Sequence, residues 1–468
     1  MSRSGRRRPG RPPQRGSRAP GDPARLAAFE VLKAVRAEDA YANLVLPHVL
    51  GRLGLEGRDA AFATELASGT LRMQGLYDAV LAACVDRPLT KVEAKVLDLL
   101  RLGAHQLLSM RVPDHAAIAT TVDLVRSKVG PGAAGFANAV LRKVAARPVD
   151  GWIDSVAPSR ETDPLGWAAV AFSHPRWEVD LLAEAVGDEI ERLLAADNDR
   201  PRVVLVARPG RASVDELPGE RTAHSPYGVV LESGSPTAVP AVAEGRAAVQ
   251  DEGSQLVGLA VAEAPLEGRD ERWLDLCAGP GGKSGLLAAL AAQRGAILVG
   301  NERQPHRAGL VRRNLTDPDG ASVPGAVGVV AGDGTRPPYR PGSFDRVLVD
   351  APCTGLGALR RRPEARWRRR PDDVAALVPL QRDLLRSALD LVRPGGVVVY
   401  STCSPVLAET RDVVAAVLAE DPAIVIEPMA GTAGGVPDSA GPLPGTVQLW
   451  PHRHGTDAMF VAVLRRTT

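Results

Sequence analysis

From Asp22 to about Val149, apolar residues recur at three- and four-residue spacing, the rhythm of helices that bury one face. "DPARLAAFEVLKAV" opens with Asp22 as an N-cap and Pro23 in the first turn. "DAAFATELASGTLRMQGLYDAVLAAC" and "TKVEAKVLDLLRLGAHQLLSM" keep the rhythm, and Thr90 with Glu93 fits a capping box at the head of the latter. The pattern predicts an all-α domain of about five to seven helices over 22–149. Residues 150–170, rich in Gly, Pro and Asp, break the period and read as a linker. "FSHPRWEVDLLAEAVG", the strand-like "RVVLVARP" and a turn-rich stretch predict a small α+β module over 171–245. From 246 to 468, the runs "RWLDLC", "AILVGN", "AVGVVAGD", "DRVLVDAP" and "GVVVYST" alternate with amphipathic segments. That alternation predicts a Rossmann-like α/β domain, a parallel sheet covered on both faces.

Composition adds constraints. The chain has 468 residues, 45% hydrophobic and only 4% aromatic, which suits a soluble multidomain protein. No run approaches the length of a membrane span, and no charged stretch leads into a secretory core and cleavage site, so no membrane partner is expected. Four cysteines without framework spacing fit a reducing, cytoplasmic compartment. The net charge of +2 hides an asymmetry: residues 1–20 hold seven arginines and no acid. This tail over 1–21 has too few apolar residues to fold and is expected to be disordered. A nucleic-acid contact and a solubilising extension both account for it.

The candidate chemistry clusters at predicted strand ends. "LDLCAGPGGKSG" (274–285) follows a strand and opens a helix, the place where open α/β sheets bind nucleotide-like ligands. It matches neither GxGxxG nor a P-loop. Lys283 is the only lysine from residue 144 onward, although arginine is abundant there, so a compact ammonium has a use that a guanidinium would not fill. Glu302 ends the next strand, where a carboxylate can bind a ribose diol, and Asp333 ends the third. Cys353 in "VDAPCTGLG" and Cys403 in "VVVYSTCSP" follow two further strands, at the same edge. A lone cysteine is more often an inert apolar residue, but two among turn residues at this edge fit catalytic thiolates. A zinc pair lacks a ligand set: there is no CxxC, and His452 and His454 do not complete one, so no metal is expected. Residues 359–370 then hold seven arginines and Trp367, and Arg360, Arg361, Arg362 and Trp367 are candidates for phosphate contact and base stacking.

"LDLCAGPGGKSG", "VDAPCTGLGALRR", "YSTCSP" and "VQDEGSQ" together resemble the S-adenosylmethionine-dependent RNA 5-methylcytosine methyltransferases. The N-terminal region, with "FANAVLRKV" (136–144), resembles the NusB-like RNA-binding domain of the bacterial branch acting on small-subunit (16S) ribosomal RNA. By position, the resemblance implies that Cys277, Ala278, Gly279, Pro280, Gly281, Gly282 and Lys283 form the cofactor loop. It places Glu302 on the ribose, Asp333 near the adenine, and Asp350 near the methionine end and the target base. Cys403 would be the nucleophile and Cys353 would assist product release. Glu302 stands where the family more often has aspartate, Asn301 beside it is unusual, and the tail lies outside the pattern.

The implied chemistry wants two thiols: one adds to C6 so that C5 becomes nucleophilic, and the other is the base when the adduct breaks down. Residue spacing alone does not say which cysteine attacks, since Pro-Cys is the nucleophile motif of the related DNA enzymes. The expected partner is RNA, ribosomal RNA first, with the protein acting as a monomer. Competing readings are the same chemistry on transfer RNA or large-subunit ribosomal RNA, and a non-catalytic RNA-binding factor on this scaffold. The presence of both cysteines and Lys283 argues against the last.

Overall fold

The computed structural model describes residues 22–467; the arginine-rich tail lies outside them. Seven α-helices lie between Pro23 and Val144. Asp22 caps the first, its Oδ1 accepting from the backbone N–H groups of Ala24 and Arg25 at 3.0 and 3.1 Å. The capping box at Thr90 does not form. Thr90 lies in a 3-10 turn, Leu89–Lys91, and the helix Ala94–Leu108 starts from Glu93 without a side-chain cap.

The chain divides into two compact units, residues 22–70 with 80–152, and 71–79 with 153–467. The boundary therefore departs from the expected one, because Leu71–Ala79 belongs with the second unit. Nor is 150–170 an irregular linker. It is mostly helical (Val149–Val156 and Pro164–Ala171), with Asp163 capping the second helix through Gly166 N–H at 3.0 Å.

In the second unit, a four-stranded antiparallel sheet contains β1 (Val204–Ala207), β2 (Gly219–Arg221), β3 (Gly228–Leu231) and β4 (Ala247–Val249), ordered β2-β3-β1-β4. Its fourth strand lies beyond 245, so the small module runs slightly further than its turn-rich composition suggests.

The large sheet comprises β5 (Arg272–Asp275), β6 (Ile297–Glu302), β7 (Ala326–Ala331), β8 (Phe344–Asp350), β9 (Val392–Thr402), β10 (Ile424–Glu427), β11 (Val447–Gln448) and β12 (Phe460–Arg466). Its order is β10-β12-β9-β8-β5-β6-β7, with β11 paired to β12. Pairing is parallel from β7 to β9, and β12 runs antiparallel to β9 and β10. The chain leaves β5 in one direction and returns on its other side at β8, so the order reverses there and opens a crevice at the carboxyl ends.

Alternation along the central strands fills both faces. Val397 and Val399 of β9 join Leu348, Val461 and the helices Glu252–Glu263 and Gly282–Gln293 in one core. Val398 and Tyr400 join Val347, Val349, Phe460 and the helices Pro371–Leu391 and Arg411–Glu420 in the other. These strands are nearly continuous apolar runs because neither face sees water.

Candidate active site

The two cysteines meet because their strands are neighbours. Asp350 pairs with Ser401 across the parallel β8–β9 ladder, and Cys353 and Cys403 follow that pair by a few residues each. Their sulfurs are 3.4 Å apart. The contact splits the two thiols. Cys353's hydrogen bond lowers the pKa of Cys403, against burial and Asp350, with help from the Lys283 and Arg362 charges. The same hydrogen bond raises Cys353 well above the ordinary thiol range, together with burial and the carboxylates of Glu409 and Asp350. One sulfur is thus predisposed to be a thiolate and the other to keep its proton.

Lys283 stands in the first turn of the helix Gly282–Gln293 and reaches Asp350 Oδ2 at 2.9 Å. Burial opposes its charge, but Asp350 outweighs burial and the Lys283 pKa is raised. Asp350 Oδ1 accepts from Ser401 Oγ at 3.2 Å, so the carboxylate is fixed between Lys283 of the glycine-rich loop and the β9 strand end. Cys277 behaves differently from the pair. Burial and then the charges of Asp275, Asp350 and Glu302 push its thiol well up, which makes it unreactive.

The glycine loop lies directly on Glu302. A Cβ on Gly279 would sit 2.0 Å from Glu302 Oε2, and one on Gly281, at φ +108°, would sit 2.8 Å from Val311 Cα. At Gly281, with left-handed backbone against another backbone, only glycine fits; at Gly279 a side chain would displace the Glu302 carboxylate. Gly279 N–H donates to Glu302 Oε2 at 3.1 Å and Gln304 N–H to Oε1 at 2.9 Å. Each oxygen keeps a further lone pair for a diol, so the longer carboxylate is compatible with the ribose role. Asn301 is buried, and its Nδ2 donates to the carbonyls of Leu276 and Gly332 at 3.0 and 3.1 Å, tying neighbouring strand ends together. Asp333 sits apart from these, half-exposed at the rim, with Oδ1 accepting from Thr335 N–H and Oγ1. Beneath the loop, Ser284 Oγ donates to buried Asp275 at 2.6 Å, and burial brings the Asp275 pKa up to about 7.

The arginine segment needs correction as an RNA surface. Arg360 is buried, donating to Gly455 O and Asp457, and Arg361 pairs with Asp457 and Asp251. Trp367 donates from Nε1 to Leu71 O at 2.9 Å, with its ring where a Cβ on Gly75 would fall at 2.4 Å. Arg366 is fully buried and donates to the carbonyls of Arg72, Ser173 and Asp197 and to Asn198 Oδ1. Their acceptors lie far away in sequence, so a charge count could not separate an arginine that faces a carbonyl from one that faces phosphate. Arg362 stays exposed, and its charge reaches Cys403. His452 is engaged by Glu189 at 2.8 Å, and His454 accepts from Trp450 N–H at 2.8 Å. Among the described residues no group of His, Cys, Asp and Glu has the arrangement of a metal site, and no helix is long and apolar enough to cross a membrane.

Comparison with known proteins bears on this geometry. A family model described as "16S rRNA methyltransferase RsmB/F" matches residues 264–465, and one described as "NusB family" matches 22–146. The Mycobacterium tuberculosis protein Rv1407, whose name places it among the methyltransferases, is 51% identical and covers 98% of this chain and 100% of its own length. The ribosomal RNA small subunit methyltransferase B of Pseudomonas syringae is 33% identical, covering 94% of this chain and 96% of its own. Among solved structures, PH0851 superposes with a TM-score of 0.77 at 23% identity over 95% of this chain and 99% of that one. NSun6 from Pyrococcus horikoshii with SFG gives 0.53 at 17% identity, over 63% of this chain and 98% of that one. The match runs end to end, through the helical region and the strand-end site alike, and the chain belongs to the RsmB/F family of 16S rRNA methyltransferases, with a NusB-family domain at its N-terminal end.

Proposed function

We propose that this protein methylates C5 of a cytosine in RNA, 16S ribosomal RNA being the substrate, through a covalent adduct between Cys403 and the pyrimidine. The observation that carries the reading is the 3.4 Å contact between two thiols whose proton affinities are driven apart.

Cys403 adds to C6, forming a C–S bond and turning the ring into an enamine with its electron density on C5. Asp350, which Lys283 Nζ touches at 2.9 Å, relays a proton from that ammonium to N3 as negative charge develops there during addition, and the proton returns when the adduct breaks down. S-adenosylmethionine, held by the loop Cys277–Lys283 with Glu302 on its ribose and Asp333 near its adenine, supplies the electrophilic methyl group when bound. The glycine cradle closed by Glu302 and the acids at successive strand ends suit that ligand. Once Cys403 is a thioether it no longer holds Cys353's proton, so the largest cause of the raised Cys353 pKa disappears. Cys353 then gives its proton to solvent, and the thiolate takes the C5 proton; the C5–H electrons re-form the C5–C6 double bond, the C6–S bond breaks, and its electron pair returns to the Cys403 sulfur. A base inside an RNA helix is out of reach, so the target lies in a loop or an opened junction.

The test is to incubate the protein with labelled S-adenosylmethionine and protein-free small-subunit RNA, then locate the modified base by mass spectrometry. 5-Methylcytosine at one position supports the reading. Label on another atom or base, or label that survives Cys403→Ala, overturns it. Cys353→Ala is expected to accumulate a denaturant-stable protein–RNA adduct; normal turnover without adduct would reverse the two roles.

A further inference from the structure

Glu409 lies six residues beyond Cys403, in a short 3-10 turn, and its side chain is completely buried. Its acceptors face four neutral donors from three segments. Oε1 accepts from Thr354 N–H at 2.8 Å and from Gln381 Nε2 at 3.0 Å. Oε2 accepts from Thr354 Oγ1 at 2.5 Å and from Ser404 Oγ at 2.6 Å. Thr354 follows Cys353 directly and Ser404 follows Cys403 directly, and the two hydroxyls lie 3.1 Å apart. Gln381 extends the network by donating to Pro352 O at 2.9 Å, on the other side of Cys353. Tyr400 Oη, in β9 just before Cys403, donates to Glu409's own carbonyl at 2.7 Å.

Burying a carboxylate among neutral partners is expensive, and an apolar residue would pack this turn at less cost. What the carboxylate supplies is two acceptor atoms that grip both cysteine loops at once. We propose that Glu409 is the positioning residue of the two-thiol site, the clamp that sets the separation of Cys353 and Cys403. It touches neither substrate nor cofactor, and it rests on the two-thiol reading above. The charged and titratable groups acting on the pair are Lys283, Arg362 and Asp350 around Cys403, and Glu409 and Asp350 around Cys353.

The experiment compares wild-type full-length protein with Glu409→Gln and Ser404→Ala, after thermal unfolding has shown each to be folded. The first readout needs no RNA. 5,5′-Dithiobis(2-nitrobenzoate) reacts with one thiolate, releasing one thionitrobenzoate and leaving a mixed disulfide on that sulfur. The neighbouring thiolate then attacks that sulfur, closing a Cys353–Cys403 disulfide and expelling the second thionitrobenzoate. Mass spectrometry assigns the sulfurs. Ring closure, compared on the high-pH plateau where both thiols are ionised and the lost Glu409 charge no longer matters, is expected to slow about tenfold in Glu409→Gln and about threefold in Ser404→Ala, because proximity then sets the rate. The second readout is methylation, with kcat down about tenfold or more and the KM for RNA and cofactor within about twofold of wild type. Unchanged ring closure in folded Glu409→Gln, or a loss confined to KM, overturns the proposal; should that variant not fold, unchanged closure in Ser404→Ala overturns it. If the wild type closes the ring fast and Glu409→Gln slowly, yet neither methylates cytosine, the clamp stands and the proposed reaction falls.

Discussion

Replacing Cys353 by alanine removes the group with the largest influence on the Cys403 thiol. The direction follows from the charge states: a hydrogen bond to the thiolate favours the ionised form, so its loss raises the Cys403 pKa. A hydrogen bond to a charged acceptor is worth about 1.5–3 kcal/mol, and a thiol is a weak donor, which places the 3.4 Å contact at the lower end. Water entering the small void recovers part of that. The remainder is about one pH unit, equivalent to about 1.4 kcal/mol. Alkylation of Cys403 by iodoacetamide, read peptide by peptide in RNA-free enzyme, measures it directly. At any pH below the midpoints of both proteins the rate is expected to fall about tenfold, as the midpoint of the profile moves upward. The high-pH plateau is expected to change by no more than about twofold. Cys353→Ser, which keeps a donor, should recover much of the shift. A midpoint that stays put or moves down in Cys353→Ala refutes the idea that the neighbouring sulfur tunes the nucleophile.

Lys283→Met strips the cation from Asp350 at 2.9 Å and should lower kcat/KM about 10- to 100-fold, the worth of a charged hydrogen bond, in a methylation assay; undiminished activity would remove Lys283 from the site. Arg366→Met leaves the carbonyls of Arg72, Ser173 and Asp197 and Asn198 Oδ1 without their buried donor and should cost about 3–5 kcal/mol in urea unfolding. Trp367→Ala should lower the melting temperature while leaving RNA affinity at fixed salt within about twofold of wild type, whereas Arg362→Ala should flatten the salt dependence of binding; a loss of affinity of about tenfold in folded Trp367→Ala would restore Trp367 to the RNA surface. Burial raises Asp197 to about 7 and Glu178 to about 8, so at pH 6.5–8 the folded state holds protons that the unfolded chain has released. Stability should therefore fall as pH rises through that window, read as a declining urea midpoint. Buried His174, whose lowered pKa works in the opposite direction, acts below it.

Much of the candidate site is legible in the chain because strand ends announce themselves: an apolar run stops and a glycine, acid or cysteine follows. Alternating runs and helices also disclose the parallel sheet. What the pattern does not carry is which strands are neighbours. Cys353 and Cys403 meet only because β8 and β9 pair, and β5 intervenes between β8 and β6. Glu409 escapes notice for a related reason. A single glutamate in a polar turn looks like any solvated acid, and its four donors come from Thr354, Gln381 and Ser404, which only the folded chain assembles. The arginines of 359–370 mislead in the opposite direction, because their density suggests an outward face while Asp457, Asp251 and backbone carbonyls draw several of them inward. The 150–170 segment shows the limits of composition, since Pro164 at a helix start and Asp163 as its cap turn breaker residues into initiators.

The β8–β9 ladder also governs how this chain can change length. Deleting one residue from β9 between Val397 and Ser401 would exchange the side chains of its two faces, sending Tyr400's ring toward the wrong helices. Deleting two would keep the faces but drag Cys403 about 7 Å back along its neighbour, out of touch with Cys353. Neither thiol belongs to a segment that can be trimmed or padded freely. Insertions compatible with function are therefore confined to places that leave this alignment intact, such as the exposed turn residues Pro318–Gly320.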